Sequence, residues 1–211
     1  MRDPAMRAVL TIVWLLVLAA IAHFLAVTYQ KYGDVNAGSY SLFSTRREWL
    51  WAHLSGATLT LLLGPFQFLT PLRVAYPRVH RWTGRLYLLA MLVACAGAVG
   101  LIVTTPAGIG IQVAFAATEL AWLSTAVMGF VAIRGKRMQV HRRWMIRNYI
   151  ITFVFITFRV ALMIPTLMAL GPPSVMIPVL LELSWVIPLV VYELSAAAFG
   201  RATGRLAAQV L

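Results

Sequence analysis

The sequence has a single cysteine and only six acidic residues in 211 positions. With Cys95 alone, no intramolecular disulfide and no cysteine-based zinc or iron–sulfur site can form. Standing in an apolar run, Cys95 reads as a small core residue. Charged residues amount to 11% of the chain, against about a quarter in soluble domains. No nucleophile–base pair, phosphate loop, H-E-x-x-H or nucleotide fingerprint occurs, which argues against ordinary hydrolytic or nucleotide chemistry. What fills the chain instead is apolar: 61% of its residues. That excludes a soluble globular domain.

The basic residues are plentiful, 18 Lys and Arg for a net charge of +12. Such a balance can signal nucleic acid, but the positions of the charges point to a bilayer. A hydrocarbon core of roughly 30 Å takes about 20 apolar residues in a helix. Six stretches qualify, residues 8–29, 49–72, 86–105, 107–133, 144–170 and 175–199. None alternates with period two, so the expected fold is all-α, a six-transmembrane-helix bundle forming one membrane domain over residues 1–211. Thr104-Thr105-Pro106-Ala107-Gly108 and Gly171-Pro172-Pro173-Ser174 are tight turns joining antiparallel neighbours. The first run is preceded by Arg2 and Arg7 and followed by no A-x-A cleavage site, so it reads as a retained helix rather than a signal peptide.

Short-loop Lys and Arg set orientation. Fourteen lie on one side: Arg2 and Arg7, then Arg73, Arg78, Arg81 and Arg85, then Arg134, Lys136, Arg137, Arg142, Arg143 and Arg147, then Arg201 and Arg205. The other side has Lys31, Arg46 and Arg47. The expected location is the inner membrane of the cell, with both termini cytoplasmic. Arg81, Arg85, Arg142, Arg143 and Arg147 are expected at anionic lipid headgroups, with no role for nucleic acid. The segment 28–48 is the one sizeable outer loop, and residues 200–211 suit a short interfacial amphipathic helix.

Some ionisable groups stand inside the spans. At 1.5 Å per residue, Arg159 lies roughly 16 Å below the outer surface, Glu119 roughly 18 Å and Glu182 roughly 10 Å. Charges at such depth face the bundle and find partners. The expectation is an ion pair of Arg159 with Glu182 or Glu119, either fixing helix register or lining a proton or substrate path. Glu193, near the inner end of the last span, is expected to meet cytoplasmic arginines.

Four histidines divide by depth. His23 and His53 belong near the outer surface, and His80 and His141 near the cytoplasmic mouth. Two imidazoles at matched depth are what a membrane-bound low-spin haem needs. A metal site on His80 and His141, or a proton relay, is the alternative. Binding of lipid phosphates or loop carbonyls, or the filling of polar gaps, is the reading without a cofactor. His80-Arg81-Trp82-Thr83-Gly84-Arg85-Leu86-Tyr87 and His141-Arg142-Arg143-Trp144-Met145-Ile146-Arg147-Asn148-Tyr149 share His-Arg, then Trp, then Arg-x-Tyr, as an internal repeat would. Ala94, Ala96, Ala98 and Gly100 offer small faces for close helix packing or, alternatively, a smooth wall against a flat cofactor.

These blocks, together with Trp51-Ala52-His53-Leu54-Ser55-Gly56, Leu63-Gly64-Pro65-Phe66-Gln67-Phe68 and Thr157-Phe158-Arg159, resemble domain-of-unknown-function family 2306 of bacterial membrane proteins. The resemblance covers roughly residues 45 to 165. It implies that His53, His80, His141 and Arg159 are the family's polar motif positions, with no activity attached. Three functions fit. The first is a protein binding haem b or another redox metal through His53, His80 and His141. The second is a proton-coupled transporter using Arg159, Glu119 and Glu182. The third is an accessory subunit packed against other integral membrane subunits. The first is preferred.

Overall fold

Apolar runs bounded by Pro and Gly become helices here because the chain's own i→i−4 bonds satisfy every backbone group that lipid cannot. The computed structural model describes residues 4–33 and 43–208. Most of the expected outer loop, and the side chains of Arg2, Arg7, Arg201 and Arg205, lie outside that description. Among the described residues there is no strand, so the all-α expectation holds. The helices are α1 (Pro4–Tyr32), α2 (Arg47–Phe68) after a 3-10 turn (Ser44–Arg46), α3 (Thr70–Ala75), α4 (Pro77–Thr104), α5 (Ile109–Arg134), α6 (Met138–Thr152), α7 (Val154–Leu162), α8 (Pro165–Met168) and α9 (Pro173–Ala208).

Five stretches among the described residues are long and apolar enough to cross a membrane: Thr11–Tyr32, Pro77–Thr104, Ile109–Arg134, Met138–Leu162 and Pro173–Ala198. Their outward surfaces carry Val103, Ile109, Leu120 and Leu194, all exposed. The expected run 49–72 is helical as well but broken: α2 ends at Phe68, Leu69 is extended, and α3 begins at Thr70. It is diluted by His53, Ser55, Gly56, Thr58, Thr60, Gly64 and Gln67 and falls outside those five. Helices overrun the apolar stretches at their basic ends: α4 starts at Pro77 and α6 at Met138. Arg and His are adequate helix formers, and a helix stops where Pro or Gly stops it.

The chain divides into two compact units, Met1–Thr105 and Pro106–Leu211, at the turn centred on Pro106. In the first, α2 and α4 run antiparallel along each other's length. Small residues make this possible. A Cβ on Gly56 would collide with the backbone of Ala90 and Ala94, one on Gly97 with the backbone of His53, and one on Gly100 with the Trp49 ring. The buried seam of α4 is Ala90, Ala94, Gly97 and Ala98, spaced by three and four residues, whereas Ala96 is exposed. These small residues are covered by α2, so they are packing surface and not a wall awaiting a flat cofactor.

In the second unit, α5, the α6–α7 pair and α9 enclose Ala114, Val154, Phe158, Met176, Leu180 and Leu181. The span expected over 144–170 is interrupted twice. Phe153 separates α6 from α7, and α7 ends at Leu162, where Met163 and Ile164 precede Pro165. Proline clashes with a continuing helix and pushes the preceding residue to extended backbone; Ile164 has φ −92° and ψ 104°.

Candidate functional site

His53 is placed by the α2–α4 contact. Its Nδ1 lies 3.0 Å from the carbonyl oxygen of Ala94 on the facing helix. A carbonyl only accepts, so Nδ1 carries the proton and donates it. The bond fixes ring orientation and, in the neutral ring, makes Nε2 the acceptor nitrogen. His80 is half-buried in the first turn of α4. Beside it, Gln67 Nε2 on α2 donates to Thr83 Oγ1 at 2.7 Å, and Thr83 Oγ1 donates to the Val79 carbonyl at 2.9 Å. Ala94 is fourteen residues from His80, roughly 21 Å along the helix, so His53 and His80 occupy separate levels. His23 is exposed on α1.

The second unit repeats the arrangement. His141 on α6 brings Nδ1 to 2.8 Å from the Gly129 carbonyl oxygen on α5, and the same argument assigns its proton. Each unit thus carries one imidazole held by a neighbouring helix at a position where that helix presents Ala or Gly. Among the described residues no group of three or more His, Cys, Asp or Glu comes together. Among the described residues His80 and His141 belong to no such group. A haem asks less of the protein, because its porphyrin fills the equatorial positions and only axial imidazole is required.

The expected ion pair of Arg159 is not formed among the described residues. Because α7 ends at Leu162, Arg159 stands in a helix's last turn instead of eleven residues from its end. There the C-terminal carbonyls favour a cation. Glu182 on α9 instead accepts a hydrogen bond from Thr118 Oγ1 on α5, 3.2 Å away. The Glu119 Oε1 atom is buried with no hydrogen-bond partner among the described residues. Nearby, Thr157 Oγ1 on α7 reaches the Ser184 carbonyl on α9 at 3.0 Å.

Of the arginines expected at lipid headgroups, Arg81, Arg85, Arg142 and Arg143 are exposed. Arg147 is not available in that way. Its Nε and Nη2 bond Glu193 Oε1 and Oε2 at 2.6 and 3.0 Å, and its guanidinium lies 4.6 Å from the centroid of Trp144. That pair bears out the expectation that Glu193 meets an arginine.

The polar centre of the second unit was not singled out from sequence. Asn148 is fully buried, and its Nδ2 donates to the Trp122 carbonyl at 2.9 Å and to Thr125 Oγ1 at 3.0 Å. Trp122 Nε1 donates to Thr152 Oγ1 at 2.8 Å. The signal was present: an amide entering an apolar run, one turn before Thr152. In the first unit, Arg46 is buried over the Phe43 ring, 4.9 Å from its centroid.

Neither a curated protein nor a solved structure matches the chain. The sequence profile described as "Predicted membrane protein (DUF2306)" matches residues 50–196, extending into the helix that bears Glu182 and Glu193. With five helices long and apolar enough to cross a membrane and a match over more than half its length, the chain is a membrane protein belonging to the DUF2306 family.

Proposed function

We propose that this protein binds haem b, or another redox metal centre, through imidazole, with His53, His80 and His141 as candidate axial ligands, each within its own unit. The observation that carries the reading is the pair of bonds His53–Ala94 and His141–Gly129. Metal-ligating histidines donate their other ring N–H to a carbonyl or carboxylate, which fixes the tautomer and makes the ligating nitrogen more basic. Both imidazoles meet that requirement before any metal is present. When bound, haem would supply one-electron redox chemistry; the chain's residues supply orientation and an apolar surround. The test is an absorption spectrum and iron analysis of protein purified from haem-supplied cells. A Soret band that weakens or shifts in His53→Ala or His141→Ala is expected. Colourless, iron-free protein would overturn the reading.

The topology belongs to the same proposal: six crossings in the inner membrane with both termini cytoplasmic. Support for the sixth comes from α2, whose 22 residues lie antiparallel along α4 and span roughly 33 Å. Support for orientation comes from the fourteen-to-three division of basic residues. In a Cys95→Ser background, single cysteines at Val79 and Val140 should react with an impermeant thiol reagent only from the cytoplasmic face. A cysteine at Arg47 should react only from the opposite face. Labelling of Val79→Cys and Arg47→Cys from one side would remove α2 as a span.

A second reading, an accessory subunit, is favoured by α1. Only 6% of its apolar stretch is fully buried, and most residues from Thr11 to Tyr32 are exposed, open to lipid or to another integral subunit. Co-purification of a defined membrane partner in mild detergent, lost on deleting α1, would support this reading. A solitary monomer would count against it.

A further inference from the structure

Both units contain a Trp-x-x-Arg step in which the guanidinium lies over the indole one turn before it. The Arg147–Trp144 distance is 4.6 Å and the Arg85–Trp82 distance 4.8 Å. The two differ in what completes them. In the second unit, α9 supplies Glu193, which fills the fork of Arg147. In the first unit no carboxylate meets Arg85 among the described residues. Trp82 is 67% exposed and Arg85 is exposed too.

Sequence explains the vacancy in counter-charge. Neither α3 nor α4 contains an Asp or Glu, while they carry Arg73, Arg78, Arg81 and Arg85. Arg81 and Arg85 are four apart and share a helix face, where like charges repel unless an anion lies between them. Length then sets the level. The 28 residues of α4 span roughly 42 Å against a hydrocarbon core of about 30 Å. Residues 86–104 are uncharged and fill that core on their own, so residues 77–85 project beyond it. Arg85 and Trp82 therefore stand at headgroup depth, where indoles concentrate.

We infer that Trp82, Arg85 and Arg81 form a binding site for the phosphate of an anionic phospholipid. The indole holds the guanidinium flat, its fork takes two phosphate oxygens, and Arg81 adds a second charge. Arg147 holds no such lipid, because Glu193 occupies the same fork.

The test is native mass spectrometry of the full chain in detergent, titrated with phosphatidylglycerol or phosphatidylcholine. The wild type should retain phosphatidylglycerol in preference. Arg85→Gln should weaken that retention about fivefold, the effect of one interfacial charge. Arg85→Lys, which keeps charge but not the fork, should also weaken it. Arg134→Gln, at the basic end of α5 in the other unit, should leave it unchanged. Equal retention by Arg85→Gln, or an equal loss with Arg134→Gln, would overturn the site. Displacement of the lipid by inorganic phosphate would overturn the lipid assignment and indicate a soluble anion.

Discussion

Arg147 on α6 and Glu193 on α9 are joined by two parallel bonds, Nε to Oε1 at 2.6 Å and Nη2 to Oε2 at 3.0 Å. The pair is partly shielded, with the arginine side chain 21% and the glutamate 45% exposed. Two-pronged pairing and the Trp144 and Tyr192 rings beside it hold the guanidinium in one orientation. Charge-assisted bonds of this kind contribute about 1.5–3 kcal/mol when intact. Arg147→Ala and Glu193→Ala should each lower the unfolding midpoint, and the double variant should cost less than their sum. Strict additivity in a thermal-unfolding cycle would show that the pair contributes nothing.

The α2–α4 contact is a matter of volume. A methyl at Gly97 meets the His53 backbone and one at Gly56 meets Ala90 and Ala94, neither of which is a movable side-chain tip. Gly56→Ala and Gly97→Ala should each destabilise by about 1–3 kcal/mol. Because His53 hangs on the same approach, Gly97→Ala should also perturb any chromophore bound through it. Gly110→Ala is the contrast. Its added carbon finds only Pro178 Cγ, 4.0 Å away, and gains helix propensity, so its midpoint should stay level or rise by up to about 1 kcal/mol.

Asn148 connects α6 to α5 through two donated bonds in a fully buried position. Interhelical side-chain bonds in membranes average about 0.6 kcal/mol, and truncation adds a cavity. Asn148→Ala should therefore cost about 1–3 kcal/mol of thermal stability. Asn148→Asp should be worse, since the carboxylate has no hydrogen to give to the Trp122 carbonyl. If Asn148→Asp proved the more stable of the two, the donor role would be wrong.

Arg159 and Glu182 make opposite predictions from those of an ion pair. With no partner carboxylate among the described residues, Arg159→Gln should lose only the attraction of the α7 carbonyl end, about 0.3–1 kcal/mol. Glu182→Gln keeps an acceptor for Thr118 and should also change stability little. If each cost several kcal/mol and the double variant cost no more, the two groups would be a pair after all.

Composition and charge placement alone determined the class of this protein. Apolar runs of membrane length without period-two alternation have no other stable solution than helices in lipid. The motif blocks likewise identified the family, since their order and content survive without coordinates. The Arg147–Glu193 contact was foreseeable in kind, because a glutamate near the arginine-rich ends has few alternatives. The partners of His53, His141 and Asn148 were not, because a backbone carbonyl on another helix leaves no mark in sequence. Nor was the true setting of Arg159, which depends on where α7 stops, and Pro165 downstream can either kink a helix or end it. Which face of α4 is buried was decided by how closely Gly56 and Gly97 let two backbones approach. That is a property of the packed pair, and neither helix possesses it singly.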